Sequence, residues 1–250
     1  MKLSHLFFLA ALALSACASS KPSLEEKRGD VYHTAGLEAL RAGRWVEALG
    51  AMQEAARYLP KDPAVATNLG LALANKGEYP RAEEAFKKAI KLDPKFTDAR
   101  LNLGALQIRM LKWKEAEANL REAAKDIAYP NQHQVFFNLA LIYGQWNKPV
   151  LAEQQLKLAV ESSPAFCDAW YRMAKIQKDR GSAGEARESY THAVSGTCFK
   201  EYPDAHYEIA SLYLQQKDEK RGKAKLLEVI QLFPETEWAR KSELTLNMIR

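Results

Sequence analysis

The sequence contains little cysteine and none of the cysteine or histidine patterns that bind zinc. Only three cysteines occur among its 250 residues, no C-x-x-C pair is present, and the five histidines are scattered. The sequence also lacks the G-x-S-x-G, H-E-x-x-H and glycine-rich phosphate-binding motifs that carry common enzyme chemistry. We therefore expect a protein that is not an enzyme, that uses no metal or other cofactor and that has no small-molecule substrate.

Basic residues are not concentrated in any one stretch of the chain. Lysine and arginine number 36 against 31 aspartates and glutamates, which gives a formal net charge of +5. The two signs are interleaved, as in Glu83-Glu84 and Lys87-Lys88. A nucleic-acid-binding surface gathers its positive charge on one face. The pattern indicates a solvated surface of mixed sign, and we expect no nucleic-acid partner.

An apolar run, Leu6 to Leu14, lies near the N-terminus after the single charge of Lys2. It is shorter than the roughly 20 apolar residues that a bilayer-spanning helix needs. The run leads into Leu14-Ser15-Ala16-Cys17, which is typical of a secretory signal whose cleavage site ends in cysteine. This arrangement resembles the lipobox of bacterial lipoproteins.

The lipobox resemblance implies a signal peptide over residues 1–16 and a lipidated tether over residues 17–23. In that family the cysteine, here Cys17, carries a diacylglyceryl group and an N-acyl chain after cleavage. The alternative is an ordinary secretory signal that is cut nearby, in which case Cys17 has no special role.

The remainder of the chain repeats itself with a period of 34 to 36 residues. Asn68-Leu69-Gly70 recurs as Asn102-Leu103-Gly104 and again as Asn138-Leu139-Ala140. Small residues recur in both halves of each unit, first at Gly36, Gly70, Gly104, Ala140, Ala174 and Ala210, then at Ala48, Ala82, Ala116, Ala152 and Ala186. Prolines 60, 94, 164 and 234 close most units. A fixed period of this length is the signature of a repeat architecture.

The pattern resembles the tetratricopeptide repeat, which implies pairs of antiparallel helices that touch along a seam of small side chains. One unit cannot bury its apolar face alone, so neighbouring units stack. We predict an all-α, right-handed superhelical solenoid over residues 24–250, with six repeats and a C-terminal capping helix over residues 236–249. The predicted repeats are approximately 29–62, 63–96, 97–132, 133–166, 167–202 and 203–236.

Two cysteines remain once Cys17 is assigned to the lipid. In the predicted fifth repeat, Cys167 begins the first helix and Cys198 follows the end of the second. Antiparallel helices bring those two ends to the same edge, and disulfides persist in exported proteins. We therefore predict a Cys167–Cys198 disulfide, with two buried, unpaired thiols as the alternative.

The first helices of successive tetratricopeptide repeats line a concave groove, and the family uses an asparagine at one groove position to bind peptides. Repeat register places Asn68, Asn102 and Asn138 at that position. The predicted partner-binding groove is completed by Leu71, Leu101, Ile108, Phe137, Leu141 and Tyr171. The alternative is that the asparagines bond within their own helices and that the apolar residues are covered.

Some members of the repeat family recognise a free carboxylate tail with lysines next to such asparagines. The equivalent positions here carry Thr67, Leu101 and Phe137. An apolar segment or a neighbouring folded chain is therefore the expected occupant.

The chain as a whole resembles the type IV pilus pilotins, the group of PilF, PilW and Tgl. The resemblance is sharpest over Tyr129-Pro130-Asn131, Val135-Phe136 with Asn138-Leu139, and Asn147-Lys148-Pro149 with Ala152, and it includes the insertion between the third and fourth units. Members of the group help secretin subunits to reach the outer membrane and assemble there. The resemblance implies secretin subunits of the type IV pilus as partners and a lipid anchor on the periplasmic face of the outer membrane.

The residue after the lipidated cysteine agrees with this location. An acidic residue at that position tends to retain a lipoprotein in the inner membrane, and this chain has Ala18 there. The alternative function is an envelope scaffold lipoprotein that docks other periplasmic partners, such as peptidoglycan enzymes.

Overall fold

The computed structural model describes residues 22–249. Within that range it contains thirteen α-helices, one 3₁₀ turn at Gly196–Cys198 and no strand. The helices are α1 (Leu24–Arg41), α2 (Trp45–Tyr58), α3 (Pro63–Asn75), α4 (Tyr79–Leu92), α5 (Thr97–Arg109), α6 (Trp113–Ala123), α7 (Gln132–Gln145), α8 (Pro149–Ser162), α9 (Cys167–Asp179), α10 (Ala183–Ala193), α11 (Pro203–Gln215), α12 (Glu219–Leu232) and α13 (Glu237–Met248). The predicted signal peptide, Cys17 and most of the predicted tether lie outside the described residues.

The helices pack as consecutive pairs. Each odd-numbered helix from α1 to α11 contacts the even-numbered helix that follows it, and each pair contacts the next pair in the chain. Helix α13 packs against α12 and α11, so it covers the end of the last pair. The predicted all-helical repeat fold with an additional C-terminal helix is confirmed.

In the pairs that carry a seam glycine, the helices approach so closely that this position tolerates no side chain. A Cβ atom added at Gly104 would lie 2.6 Å from Leu120 Cγ, and one added at Gly70 would lie 2.6 Å from Phe86 Cε1. In the last pair the close contact comes from the second helix, where a Cβ at Gly222 would lie 2.6 Å from Leu214 Cδ2. The small residues of the sequence pattern therefore set the spacing of the helices.

The second helix of every pair contributes one large and one small buried residue to the core. The large residues are Met52, Phe86, Leu120, Leu156, Tyr190 and Leu226, all 2% exposed or less. The small ones are Ala55, Ala89, Ala123, Ala159, Ala193 and Val229. Burial of each large side chain contributes about 1.5–3 kcal/mol, so the core is assembled from similar increments along the chain.

The N-terminal helix begins earlier than the predicted first repeat, which was placed near residue 29. Ser23 Oγ accepts a hydrogen bond from the Glu26 amide at 3.1 Å, and Glu26 Oε2 accepts one from the Ser23 amide at 2.6 Å. This reciprocal capping box fixes the first turn of α1. Ser23, which the sequence analysis assigned to the tether, is therefore the cap of the first helix.

The insertion between α6 and α7 is held against the preceding repeat. The buried Tyr129 donates its hydroxyl to Asp98 Oδ1 at 2.6 Å, and Thr97 donates its hydroxyl to Asp126 Oδ2 at 2.6 Å. Desolvation and the Asp98 carboxylate both raise the pKa of Tyr129, so its hydroxyl stays protonated as the donor. These bonds fix the segment that leads into α7.

The insertion between α10 and α11 is held by a disulfide and a buried histidine. Cys167 and Cys198 are joined, and their Cα atoms are 6.4 Å apart, within the usual range of about 4.4–6.8 Å. His206 is fully buried, and its Nε2 lies 2.6 Å from the carbonyl oxygen of Phe199. Burial lowers the pKa of His206 and so favours the neutral ring, although Glu228 Oε1 lies 3.6 Å from its Nδ1.

Replacing both Cys167 and Cys198 with alanine should lower the free energy of unfolding by about 3–4 kcal/mol, because the bond closes a long loop in the unfolded chain. Urea denaturation followed by circular dichroism measures the change. Dithiothreitol should destabilise the native protein by a similar amount and leave the double variant unchanged. Equal stability of the oxidised and reduced native protein would contradict the assignment.

Gly104→Ala and Gly50→Ala form a matched pair that tests the seam. Both glycines lie inside helices, but a Cβ at Gly50 would meet nothing within 4 Å. Alanine improves helix propensity at both sites by about 0.8–1 kcal/mol, whereas overpacking against Leu120 costs about 1–3 kcal/mol at Gly104 alone. We expect Gly50→Ala to raise the free energy of unfolding. The Gly104→Ala variant should be less stable than the Gly50→Ala variant by the overpacking cost. Equal effects in thermal or urea denaturation would show that the seam is not tight.

Candidate partner-binding groove

A cavity of about 590 Å³ opens along the first helices of the third, fourth and fifth repeats. Its wall comes mainly from α7 and α9, with two residues from α8 and one each from α5 and α6. The lining residues are Ile108, Trp113, Ala140, Leu141, Gly144, Gln145, Ala152, Leu156, Tyr171, Arg172, Lys175 and Ile176. We refer to this surface as the central groove.

Three of the predicted groove residues line the central groove: Ile108, Leu141 and Tyr171. Phe137 stands beside them on α7, where its ring packs edge-on against Phe166 at 5.0 Å between centroids. The Arg172 guanidinium also lies over the Phe137 ring, and its Cζ is 5.4 Å from the ring centroid. The apolar surface that the repeat register predicts is therefore gathered around α7.

Leu101 does not face the groove, contrary to the sequence-based prediction. Its side chain is only 4% exposed and belongs to the core cluster that includes Leu120, Val135 and Leu139. The position lies at the contact between α5 and α7, and the side chain fills that contact. Leu71 also lies away from the central groove, half-buried against the core cluster of α3 and α4.

The three predicted asparagines have different surroundings. Asn102 Nδ2 donates to the Asp98 carbonyl oxygen at 2.8 Å, within its own helix, and this was the alternative interpretation. Asn68 Nδ2 lies 2.8 Å from His33 Nε2, so it links α3 to α1. Asn138 is half-buried on α7. The asparagines therefore do not form a continuous ladder of free amides, because Asn68 and Asn102 already have partners.

The charges around the central groove are unevenly distributed. Helix α7 carries no aspartate, glutamate, lysine or arginine, whereas α9 presents Arg172 and Lys175 to the cavity. Lys175 Nζ lies 5.4 Å from the Tyr171 ring centroid, and both cationic side chains are exposed. Cations in this position are attracted by the faces of aromatic rings. The groove thus combines an apolar wall with a positively charged edge.

Three acidic residues near this edge already have other partners. Asp204 accepts a hydrogen bond from the Tyr171 hydroxyl, and Asp168 accepts one from the Tyr202 hydroxyl at 2.6 Å. Glu208 pairs with Lys178 at 2.7 Å. Desolvation, and then the Asp204 carboxylate, raise the pKa of Tyr171 and keep its hydroxyl protonated as the donor.

A second cavity, of about 740 Å³, lies on the other side of the fourth and fifth repeats, between α8, α9 and α10. Its main cation, Arg180, is bonded to Glu153 and Glu185, each at 2.5 Å. Trp170 donates its ring N–H to the Pro164 carbonyl oxygen at 2.9 Å. No sequence motif predicts this cavity, and its arginine is already paired with two glutamates.

The described part of the chain shows no group of histidine, cysteine or acidic side chains arranged to hold a metal ion. Between residues 22 and 249, no helix combines the length and the apolar character required to cross a bilayer.

Comparison with protein-family models identifies tetratricopeptide repeats at residues 33–97, 73–133 and 204–236, which together cover more than half of the chain. The chain is 28% identical over 198 residues to the type IV pilus assembly protein PilF of Pseudomonas aeruginosa, covering 76% of this chain and 79% of PilF. It is also 27% identical over 141 residues to the Hsp70-Hsp90 organizing protein of Triticum aestivum, but spans only 24% of that protein.

Two solved structures have the same fold over most of their length. The structure reported for Pseudomonas aeruginosa PilF aligns with a TM-score of 0.76 and 21% identity, covering 88% of this chain and 99% of that one. The structure of PilW, described as a widely conserved type IV pilus biogenesis factor, aligns with a TM-score of 0.69 and 18% identity, covering 85% and 97%.

These similarities bear on the expectation that the chain has no catalytic activity. The repeat family and the shared PilF/PilW fold are those of non-catalytic interaction scaffolds, which agrees with this expectation. Taken together, the repeat matches show that the chain belongs to the tetratricopeptide-repeat family, and the solved structures show that it shares the fold of PilF and PilW.

Proposed function

We propose that this protein is a type IV pilus biogenesis lipoprotein that binds secretin subunits and promotes their localisation and assembly at the outer membrane. The observation that carries the proposal is the extent of the likeness to the type IV pilus assembly protein PilF, which covers 76% of this chain and 79% of PilF. A likeness confined to a few generic repeats would cover a small part of the longer partner, as it does for the Hsp70-Hsp90 organizing protein.

The central groove is the surface that we assign to the secretin subunit. Leu141 and Ile108 provide apolar contact area, and the close-packed helices hold that area in a fixed shape. A partner segment that covers apolar surface is stabilised by roughly 25 cal/mol for each Å² removed from water. Because the groove is already formed, little of that free energy is spent on ordering this protein.

The lipid on Cys17 supplies the second part of the proposed function. Two or more acyl chains are needed for stable anchoring, and each buried methylene contributes about 0.8 kcal/mol. Anchoring confines the repeats to the membrane surface, which raises the local concentration of any bound secretin subunit there. The binding and anchoring steps are thus separable by substitution.

Cys17→Ala should release the protein from the membrane and reduce the amount of assembled secretin, while binding of secretin subunits continues. Membrane fractionation and gels that preserve secretin multimers measure the two effects. The control is the purified soluble variant, whose circular dichroism should match that of the native repeats. A soluble variant that supports normal secretin multimers would contradict the anchoring step.

Leu141→Asp should abolish or strongly weaken co-purification of the secretin subunit, because it places a carboxylate in the apolar wall of the groove. The matched control is Leu158→Asp on α8, where the leucine is 38% exposed and lies outside the central groove. Both variants should remain helical by circular dichroism.

Retention of the secretin by folded Leu141→Asp would move the binding site elsewhere. If cells that lack the protein make normal pili but have an altered shape, the alternative of an envelope scaffold that docks other periplasmic partners is favoured instead.

A further inference from the structure

The pair Arg172 and Lys175 is the most unusual electrostatic feature of the central groove. The two residues are three positions apart on α9, so they are neighbours on one helix face. Both are exposed, both line the same cavity as Leu141, and their nearest described partners are aromatic rings. They form no salt bridge with any described carboxylate.

The helices around this pair offer it few carboxylates. Helix α7 has no acidic residue to offer. On α9 itself, Asp168 is bonded to the Tyr202 hydroxyl, and the exposed Asp179, four positions after Lys175, forms no salt bridge with it. On α11, Asp204 is bonded to the Tyr171 hydroxyl and Glu208 is paired with Lys178. None of these carboxylates forms a salt bridge with Arg172 or Lys175, so both cationic groups are open to a partner.

A segment bound in the groove would change the solvation free energy of Arg172 and Lys175. In the free protein, water solvates both cationic groups. A bound segment would remove part of that water, and burying a charge without a compensating partner is strongly unfavourable. A purely apolar segment would impose this cost on Arg172 and Lys175, whereas a carboxylate would form charge-assisted hydrogen bonds with them.

We propose that the central groove recognises a segment that combines an apolar face with acidic side chains placed to meet Arg172 and Lys175. This inference rests on the proposed function, in which a secretin subunit supplies the segment, and it adds the chemistry of recognition. Two cations on successive positions of one helix face match acidic side chains that recur along a segment. A chain terminus would provide only one carboxylate.

Defined peptides provide the first test. The probe is a synthetic amphipathic peptide with leucine on one face and glutamate beside it, acetylated at its N-terminus and amidated at its C-terminus. Its counterparts replace every glutamate with glutamine or with lysine. We expect the acidic peptide to bind at least about tenfold more tightly than either counterpart in fluorescence anisotropy, since like-charge contacts are costly and opposite charges attract.

Varying the ionic strength and the C-terminus of the peptide makes this test more specific. The preference for glutamate should shrink when the ionic strength is raised to about 1 M, where the screening length falls to about 3 Å. A glutamine peptide with a free C-terminal carboxylate should bind no better than its amidated form. Equal binding of the capped glutamate and glutamine peptides would overturn the proposal, as would preferred binding through the free terminus.

Charge reversal on the protein provides the second test. Arg172→Glu with Lys175→Glu should abolish the preference for the acidic peptide and favour the lysine peptide. The matched control is Lys114→Glu with Lys157→Glu, which makes the same change in net charge on α6 and α8, at exposed residues outside the groove. The control should retain the native preference, and all proteins should have the native helical spectrum.

Co-purification with the secretin subunit separates this inference from the proposed function. Reduced capture by the groove reversal, with normal capture by the control, supports both. Normal capture by the groove reversal contradicts the acidic-segment inference and leaves the secretin proposal intact. Failure of the native protein to capture the secretin contradicts the proposed function, and the peptide preferences then decide the inference independently.

Discussion

The close approach of two helices at one small residue per repeat is the constraint on which the structure depends. At Gly70 and Gly104 even a methyl group would collide with Phe86 or Leu120 of the paired helix. Since the pair is held at this distance, the large residue of the second helix can reach both the partner helix and the next repeat. Repetition of that contact along the chain places the first helices side by side and creates the central groove.

The groove shows how a uniform scaffold acquires a specific surface. The seam residues vary little from repeat to repeat because packing dictates them, whereas the exposed residues of the first helices differ. Helix α7 presents Phe137 and Leu141 and itself carries no aspartate, glutamate, lysine or arginine, whereas α9 presents two cations over aromatic rings. Adjacent repeats thus contribute an apolar wall and a charged edge to one cavity.

The two insertions that interrupt the repeat period are held rigidly. The first is bonded to the preceding repeat through Tyr129 and Asp98, next to the start of α7. The second is closed by the Cys167–Cys198 bond and rests on the buried ring of His206. The first insertion therefore fixes the start of α7, which borders the central groove. The second fixes the loop that leads into the sixth repeat.

Much of this fold could be predicted from the sequence because its determinants recur in register. Gly70, Gly104 and Ala140 are recognisable only by comparison with one another, and they identify the seam. Register also indicates which helix of each pair faces the groove, but it does not determine whether a given side chain on that helix points into the groove or into the core. Leu101 was placed on the surface for that reason, although the contact between α5 and α7 buries it.

Hydrogen-bond partners were harder to predict than helices. Asn102 bonds to its own helix, and Asp204 and Asp168 are taken up by tyrosines from other repeats. Such pairings depend on distances between repeats, which the sequence does not state. The open positive charge of Arg172 and Lys175 likewise depends on contacts between helices that the sequence does not state.

Site-specific photocrosslinking to the secretin subunit tests the central claim most directly. A photoreactive amino acid at Gln145 lies at the edge of the central groove, and one at Gln154 lies in the cavity on the opposite side of the repeats. The account predicts crosslinks from position 145 and none from position 154. Crosslinks from position 154 alone would show that the partner binds the other face and would contradict the account.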